Sequence, residues 1–285
     1  MGDVALVTGC SSGIGRALAG LLSSRGWTVY AGARSRSALD ELGAQGCIPL
    51  SLDVCSDAQC QAAVSRVETE QGRVDALVNN AGYGLHAALE ETSLDDARQQ
   101  FETNLFAVAR LCQLVLPGMR RIGRGHILNM SSMGGRITFP GGAFYHASKH
   151  ALEAMTDALR FEVSGFGVRV VLVEPGPVRS AFGQTGIDSL GGSSANPAYA
   201  SLRESIRTGL TSTFRGPGSE LSSTPEDVAA VCAEVLEDPD PAPRYIVGDM
   251  ATTLIERRSR DGDAAWDAFL ETLYAKPGPD SEASG

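Results

Sequence analysis

The chain has 285 residues, of which 43% are hydrophobic and 20% are charged. These proportions are typical of globular proteins and argue against intrinsic disorder in the body of the chain. The net charge of −10, with no cluster of basic residues, argues against a nucleic-acid or anionic-membrane surface, because both need positive charge. We therefore expect one large domain that acts on a small molecule.

The start of the chain and its cysteines bear on location. The first apolar run, residues 4–8, follows no basic stretch and no cleavage pattern, so it predicts a strand and not a signal peptide. No apolar run is long enough to predict a membrane span. The six cysteines form no CxxC pair and no zinc-like spacing, which favours reduced thiols in a cytoplasmic protein.

Strand-like apolar runs alternate with helix-like stretches along the chain. The predicted strands are residues 4–8, 27–32, 47–52, 74–79, 126–131, 168–175 and 244–248. Helical spacing marks residues 17–25, 57–71, 94–120 and 145–165 between them. The alternation predicts an α/β fold, in which a doubly wound, mainly parallel, seven-stranded Rossmann-like sheet carries helices on both faces.

Three further segments complete the predicted organisation. Residues 180–223 interrupt the alternation with Gly, Ser and Pro, and they predict a loop with one or two short helices that serves as a substrate loop or lid. A long terminal helix is predicted over residues 252–275. The predicted single domain covers residues 1–276, and the polar residues 277–285 predict a flexible tail.

The first strand runs directly into a glycine loop, with Gly9, Gly13 and Gly15 ahead of the first helix. Free backbone N–H groups and the helix dipole at such a place can hold a diphosphate. The spacing G-x-x-x-G-x-G departs from G-x-G-x-x-G, so it is the position between strand and helix that indicates a dinucleotide site. The alternative is that these glycines only form a turn.

Arg34 follows the second predicted strand, where dinucleotide folds read the adenosine ribose. No carboxylate stands there, and an arginine can pair with a 2′-phosphate. The sequence therefore favours NADPH or NADP+ over NADH. The alternative is a solvated surface charge.

Tyr145 and Lys149 are four residues apart in a predicted helix, which places them on one face. An adjacent ammonium group should lower the pKa of the phenol and let it exchange a proton with an alcohol or a carbonyl. Lysine suits this role better than arginine, because it is a compact charge with three rotatable donors. The alternative is a pair on the helix surface.

Five motifs carry a family resemblance: "TGCSSGIG", "NNAG" at 79–82, "NMSS" at 129–132, "YHASK" at 145–149 and "PGPV" at 175–178. In this order and spacing they resemble the short-chain dehydrogenase/reductase family from about residue 3 to residue 250. Within the family, "TGCSSGIG" and "GPVRSAF" look most similar to hydroxysteroid and retinol dehydrogenase-like ketoreductases.

The resemblance implies further site residues. It makes Ser132, Tyr145 and Lys149 catalytic, and it gives Asn104 the role of holding a proton-relay water in a distorted helix. With the residues named above, the predicted cofactor-binding set is Gly9, Ser11, Ser12, Gly13, Ile14, Gly15, Arg34, Asp53, Val54, Asn80, Ala81, Gly82, Tyr145, Lys149, Pro175, Gly176, Val178 and Ser180. The family more often has Thr where Ser180 stands.

The implied reaction is reduction of a ketone by NADPH, in which Ser132 binds the substrate oxygen and Tyr145 donates the proton. Aromatic and other apolar residues near the motifs favour a lipophilic or polycyclic substrate; the set is Tyr83, His86, Met133, Phe139, Phe144 and Phe182. Two alternatives stay open: an alcohol dehydrogenase that works in the oxidative direction with NADP or NAD, and a non-catalytic regulator that senses NADP(H). The resemblance also implies a homodimer or homotetramer.

His146 and His150 stand four residues apart and could share a metal ion on one helix face. No third ligand suggests itself, so the sequence predicts histidines at the surface or at a subunit interface, and no metal site.

Overall fold

The predicted strands form one parallel sheet. In the computed structural model, which describes residues 2–190 and 195–277, they are β1 (Val4–Thr8), β2 (Thr28–Ala33), β3 (Ile48–Ser51), β4 (Ala76–Asn79), β5 (Gly125–Met130), β6 (Val168–Pro175) and β7 (Arg244–Val247). The strand order is β3-β2-β1-β4-β5-β6-β7, and each neighbouring pair is parallel. The predicted fold class is confirmed.

Helices connect the strands. They are α1 (Gly13–Ser24), α2 (Asp40–Ala44), α3 (Asp57–Gln71), α4 (Leu94–Phe101), α5 (Ala107–Ile122), α6 (Ala143–Val163), α7 (Ala181–Asp188), α8 (Ala200–Arg215), α9 (Pro225–Glu237) and α10 (Asp249–Leu273). The single helix predicted over residues 94–120 is wrong in one respect. A π-helical turn, Glu102–Phe106, separates α4 from α5, and it is the helix distortion that the family resemblance implied around Asn104.

The sheet is covered on both faces. Leu18 and Leu22 of α1 and Val228 and Val235 of α9 pack on one face. Side chains of α3, α5 and α6 pack on the other, among them Val64, Leu111 and Leu152. Strands buried from both sides need continuous apolar runs, which explains why β1 and β4 have no polar alternation.

The strand order places the motifs together. The chain adds β2 and β3 on one side of β1 and then β4 to β7 on the other, so the order in which strands are added reverses between β1 and β4. Open α/β sheets bind ligands beside such a point, at the carboxyl ends of the strands. The glycine loop after β1, "NNAG" at the end of β4, "NMSS" at the end of β5 and "PGPV" at the end of β6 all lie at this edge.

The substrate-loop segment is more helical than predicted. Both α7 and α8 lie within residues 180–223, whereas residues 191–194 are outside the described part. The buried Glu91 carboxylate pairs with Arg203 and accepts from the Asn196 backbone at 2.7 Å, which fixes α8 against the body of the protein. The predicted tail, apart from Pro277, also lies outside the described residues.

The C-terminal helix α10 is bent at Gly262, whose φ is 77°. Beyond the bend, the buried Trp266 donates a hydrogen bond to the Thr138 carbonyl at 3.3 Å, and its ring lies 5.7 Å from that of Phe139. The helix therefore packs on the segment that follows Ser132, which the structure brings close to the sheet edge described above.

Candidate active site

Tyr145 and Lys149 lie one turn apart on α6, and both are buried. The Lys149 Nζ donates to the Met130 carbonyl at 2.7 Å, at the end of β5. Ser132 follows β5 two residues later. The helix and the strand end therefore bring together three of the four predicted catalytic residues.

Burial sets the protonation state of Tyr145. It raises the pKa of the phenol to about 12, and only a contact with the Ser132 hydroxyl opposes this shift. We predicted a lowered pKa from the neighbouring lysine, and that direction is wrong. The cost of desolvating a phenolate exceeds any effect of the Lys149 charge, so Tyr145 holds its proton at neutral pH.

Lys149 shows the opposite consequence of the same burial. Desolvation lowers the pKa of its ammonium group to about 8, while the Glu153 carboxylate one turn further along α6 raises it. The side chain is only 6% exposed. Its charge is therefore present at neutral pH and is lost as the pH rises through about 8.

Asn104 lies in the π-helical turn and is buried. Its Oδ1 accepts from the Tyr83 N–H at 3.2 Å, and its Nδ2 donates to the Tyr83 carbonyl at 3.0 Å and to the Ser148 Oγ at 3.1 Å. A Cβ on Gly82 would lie 3.1 Å from Asn104 Oδ1 and 3.8 Å from Lys149 Nζ. A side chain at Gly82 would therefore crowd Asn104, and the glycine lets the backbone pass close to both polar groups.

Ser132 is held by its own loop. Its Oγ accepts a hydrogen bond from the Gly134 N–H at 3.0 Å and lies 3.5 Å from the Pro175 carbonyl of the "PGPV" motif. The side chain is half-buried. The hydroxyl proton can therefore turn toward a substrate oxygen.

The glycine loop fits a diphosphate. Ser12 precedes α1 as N-cap without a side-chain cap hydrogen bond, and the first turn holds no acidic residue, so the positive helix end is open. Gly9 (φ 73°) and Gly15 have no room for a Cβ, which would lie 2.8 Å and 2.4 Å from Asn80 Nδ2. Ser11 and Ser12 are exposed beside them, and Ile14 is half-buried.

The "NNAG" segment supports this loop. Asn80 Nδ2 donates to the carbonyls of Thr8 at 2.9 Å and Gly9 at 3.2 Å. The Thr8 hydroxyl accepts from the backbone N–H groups of Asn80 and Ala81, both at 3.0 Å. Our sequence reasoning missed Thr8, although a hydroxyl residue at the end of β1 was a visible signal.

Residues predicted around the adenosine lie at the ends of β2 and β3. Arg34 is exposed after β2 and forms no ion pair within the described ranges. Asp53 Oδ1 accepts from the Cys55 N–H at 3.0 Å, so this carboxylate also shapes its own turn beside Val54. Because Arg34 is exposed and has no ion pair in the described ranges, its guanidinium is available to an anion.

The stretch after β6 completes the cofactor side. Pro175 and Val178 are buried and Gly176 is half-buried. Ser180 caps α7 by accepting from the Phe182 N–H at 3.4 Å, and a Cβ on Gly13 would lie 3.4 Å from its Cβ. The start of the substrate-loop segment thus approaches the glycine loop directly.

Two aromatic rings surround the Tyr145 phenol besides that of His146. The His86 and Phe182 rings lie 6.0 Å and 5.7 Å from the Tyr145 ring. Burial lowers the pKa of His86, and its Nδ1 has no hydrogen-bond partner in the described part of the chain. These walls come from α7 and from the segment after β4.

Sequence reasoning missed other polar residues that shape the site. The buried Gln100 side chain accepts from the Leu85 N–H at 2.8 Å and donates to the Tyr83 carbonyl at 2.7 Å.

The prediction for His146 is also wrong. His146 is buried beside Tyr145, whereas His150 is exposed as predicted. The spacing of four residues identified the pair, but it could not predict that His146 is buried and His150 is exposed.

Comparison with known proteins identifies the family. A family model described as short chain dehydrogenase matches residues 3–188. The chain belongs to the short-chain dehydrogenase family. The membership predicted from the motifs is confirmed, and as a short-chain dehydrogenase the protein is an oxidoreductase that acts on CH–OH groups.

Two relatives illustrate the range of the family. A 3-ketodihydrosphingosine reductase of Bacteroides thetaiotaomicron is 41% identical over 180 residues, which are 63% of this chain and 65% of that protein. The 17-beta-hydroxysteroid dehydrogenase type 1 of Mus musculus is 36% identical over 271 residues, 90% of this chain and 77% of that protein.

Solved short-chain dehydrogenases share the fold. One from Streptomyces avermitilis is 35% identical with a TM-score of 0.80 and covers 95% of this chain and 97% of its own. One from Burkholderia cenocepacia, solved in complex with NADP, is 26% identical with a TM-score of 0.74 and covers 96% of this chain and 98% of its own.

Within residues 2–190 and 195–277 no helix combines the length and the apolar character that a membrane crossing needs.

Proposed function

We propose that this short-chain dehydrogenase is an NADPH-dependent reductase of a lipophilic ketone. The observation that carries the proposal is the buried, protonated Tyr145 phenol beside the Ser132 hydroxyl and one helical turn from Lys149. A proton held on the phenol at neutral pH suits a general acid, which favours reduction over oxidation.

Each residue has a distinct part. The Ser132 hydroxyl donates to the substrate carbonyl oxygen and polarises it, and Tyr145 transfers its proton to that oxygen. The Lys149 charge stabilises the phenolate that remains, and its other donors would hold the ribose hydroxyls of the dinucleotide. Asn104 holds the water through which the phenolate regains a proton. A reduced nicotinamide dinucleotide supplies the hydride when it is bound.

The exposed Arg34 supports NADPH as the cofactor. No carboxylate pairs with it in the described chain, and its guanidinium can bind a 2′-phosphate with two hydrogen bonds. Relatives solved with NADP support the same choice. One solved structure with the same fold was determined with NADH, and the test below therefore compares the two nucleotides directly.

The substrate is proposed to be lipophilic. The Phe182 ring and the His86 ring flank Tyr145, and Met133 and Phe139 lie on the segment after Ser132 and pack against an apolar cluster with α10. The names of the two relatives, which refer to a sphingoid ketone and a steroid, support this class. Residues 180–223 would then act as the substrate lid.

The test follows the oxidation of NADPH in the presence of each of a panel of steroid, sphingoid, retinoid and polyketide ketones. The same ketones are then assayed with NADH in place of NADPH. We expect turnover of at least one apolar ketone and a lower KM for NADPH. Turnover only in the alcohol-to-ketone direction would favour the alternative dehydrogenase. Tight NADPH binding without turnover of any carbonyl or alcohol would favour the regulator.

Assembly and location complete the proposal. The six cysteines are all free thiols, which fits a reducing compartment such as the cytoplasm. Phe106 of the π-helical turn and Phe161 of α6 are large, exposed hydrophobic residues, which fits a homodimer or homotetramer formed through these helices. Light scattering would determine the number of subunits.

A further inference from the structure

The His146 imidazole joins the catalytic helix α6 to the segment that follows Ser132. Its Nδ1 lies 3.2 Å from the Gly134 carbonyl oxygen, and its Nε2 lies 3.2 Å from the Phe139 backbone nitrogen. The residue is buried, and its ring lies 5.3 Å from the Tyr145 ring.

These two contacts define the tautomer. The Phe139 N–H can only donate, so Nε2 must carry a lone pair, and the Gly134 carbonyl can only accept, so Nδ1 must carry the proton. Only the neutral Nδ1–H imidazole satisfies both contacts. Burial lowers the pKa of His146 to about 4, and His86 and His150, the titratable groups that act on it from the segment after β4 and from α6, shift it in the same direction.

Two glycines make room for the ring. A Cβ on Gly134 would lie 2.7 Å from Nδ1, and one on Gly142 would lie 2.6 Å from Nε2. A real Cβ atom essentially never comes this close to another heavy atom, so any other residue at either position would push the imidazole away from its two partners.

The contact with Gly134 reaches the catalytic serine. Gly134 accepts from His146 through its carbonyl and donates from its N–H to Ser132 Oγ at 3.0 Å. Gly135 also donates to the Ser132 carbonyl at 2.8 Å. His146 therefore supports the turn that aims the Ser132 hydroxyl, although it does not touch that hydroxyl itself.

We propose that His146 is a positioning residue for the reaction: through Gly134 it orients Ser132, and through Phe139 it holds the apolar wall of the substrate pocket. This inference rests on the proposed function, since it assigns Ser132 and Phe139 their parts in binding a ketone. The two contacts act on different steps, because Ser132 meets the reacting oxygen and Phe139 meets the substrate body.

Variants can separate the two contacts. In His146→Asn the amide nitrogen can replace Nδ1 as donor to Gly134, and in His146→Gln the amide oxygen can replace Nε2 as acceptor for Phe139. We expect kcat to fall about 3- to 10-fold in His146→Gln with a smaller change in KM, and KM to rise about 3- to 10-fold in His146→Asn with a smaller change in kcat. His146→Ala should show both losses.

His150→Gln is the matched control, because His150 is exposed on the same helix and its Nδ1 contacts the His146 carbonyl at 2.9 Å. It should keep the wild-type kcat and KM. Equal losses in both parameters for all three His146 variants, in proportion to a lowered Tm, would overturn the positioning role and leave a purely structural one.

Nitrogen-15 NMR of the imidazole gives a readout that needs no substrate. We expect the Nδ1–H tautomer for His146 and no titration between pH 5.5 and 8, since the pKa is about 4. An Nε2–H tautomer, or a pKa near 6.5, would overturn the proposal. Absence of carbonyl reduction by the wild type would instead remove the proposed function while the NMR result stands.

Discussion

At the scale of single residues, burial governs the chemistry of the site. Desolvation disfavours the charged form of both groups, so it raises the pKa of the Tyr145 phenol to about 12 and lowers that of the Lys149 ammonium group to about 8. Their pKa values therefore move apart, and each group keeps its proton at pH 7. A bound dinucleotide and a substrate oxygen would meet an acid and a cation that are already in place.

Tyr145→Phe tests the acid. The change removes the hydroxyl but keeps the ring that packs between His86 and Phe182. We expect turnover to fall about 10²- to 10⁴-fold, the usual contribution of a positioned acid. A fluorescence titration should show NADPH binding close to that of the wild type, and full turnover would refute the assignment.

Lys149→Arg tests whether charge alone suffices. The Lys149 Nζ sits 2.7 Å from the Met130 carbonyl in a buried space, where a planar guanidinium cannot reproduce a compact three-donor group. We expect kcat/KM to fall at least about tenfold, a loss of roughly 1.4 kcal/mol of transition-state stabilisation. Steady-state kinetics with NADPH measure this, and wild-type turnover would contradict it.

Arg34→Ala tests the cofactor. Loss of a charge-assisted pair with a 2′-phosphate should weaken NADPH binding by about 1.5 to 3 kcal/mol, or roughly 10- to 100-fold in Kd. Binding of NADH, which lacks that phosphate, should change little and serves as the internal control. Titration of both nucleotides checks this, and equal weakening of the two would argue against a phosphate contact.

At the scale of elements, local signals decided what could be predicted. Helical spacing predicted helix α3 over its full length, and the structure shows that Ser56 caps its start and Gly72, at φ 78°, ends it. The π-helical turn carries no such signal. The Asn104 and Gln100 side chains form hydrogen bonds with the Tyr83 backbone, 21 and 17 residues away in the chain, so the distortion arises from tertiary contacts that periodicity does not record.

Within the site, too, the sequence pattern could not predict properties that depend on tertiary contacts. Motif spacing predicted Ser132, Tyr145 and Lys149 as neighbours, and the structure brings them together. It did not predict the pKa of Tyr145, because burial depends on residues such as Phe182 that approach from a distant element. Nor did it reveal that His146 and His150, on one helix, face the interior and the solvent respectively.

Gly82→Ala tests the space beside the π-helical turn. The added methyl group would lie 3.1 Å from Asn104 Oδ1 and within 4 Å of Lys149 Nζ. We expect kcat to fall at least about tenfold, because displacement of Asn104 disturbs the proton path. Gly165→Ala is the control, since no atom lies within 4 Å of its added Cβ; a similar kcat for both variants would refute the role of this space.

At the scale of the whole molecule, His146 links the site to acid stability. Its pKa is about 4 in the folded protein and 6.5 in the unfolded chain. The folded state therefore binds fewer protons between these values, and the stability that His146 contributes above pH 6.5 is lost as the pH falls toward 4. The loss is on the order of 3 kcal/mol.

Urea unfolding of the wild type and His146→Asn at pH 7 and pH 4.5 measures how much of the free energy of unfolding is lost on acidification. Burial raises the pKa of Glu174 to about 7, so its contribution changes in the opposite direction between pH 4.5 and 7 and partly offsets that of His146 in the wild type. The difference between the two proteins isolates the histidine. We expect the variant to lose less stability on acidification, and parallel losses would contradict the linkage.

The arginine-rich composition has a practical consequence for chemical labelling. The chain has two lysines: Lys149 is buried in the site, whereas the Lys276 side chain is 70% exposed. An amine-reactive dye or resin should therefore couple at Lys276 and leave the buried Lys149 untouched. The protein can be tethered or tagged through its natural sequence without an engineered handle and without loss of turnover.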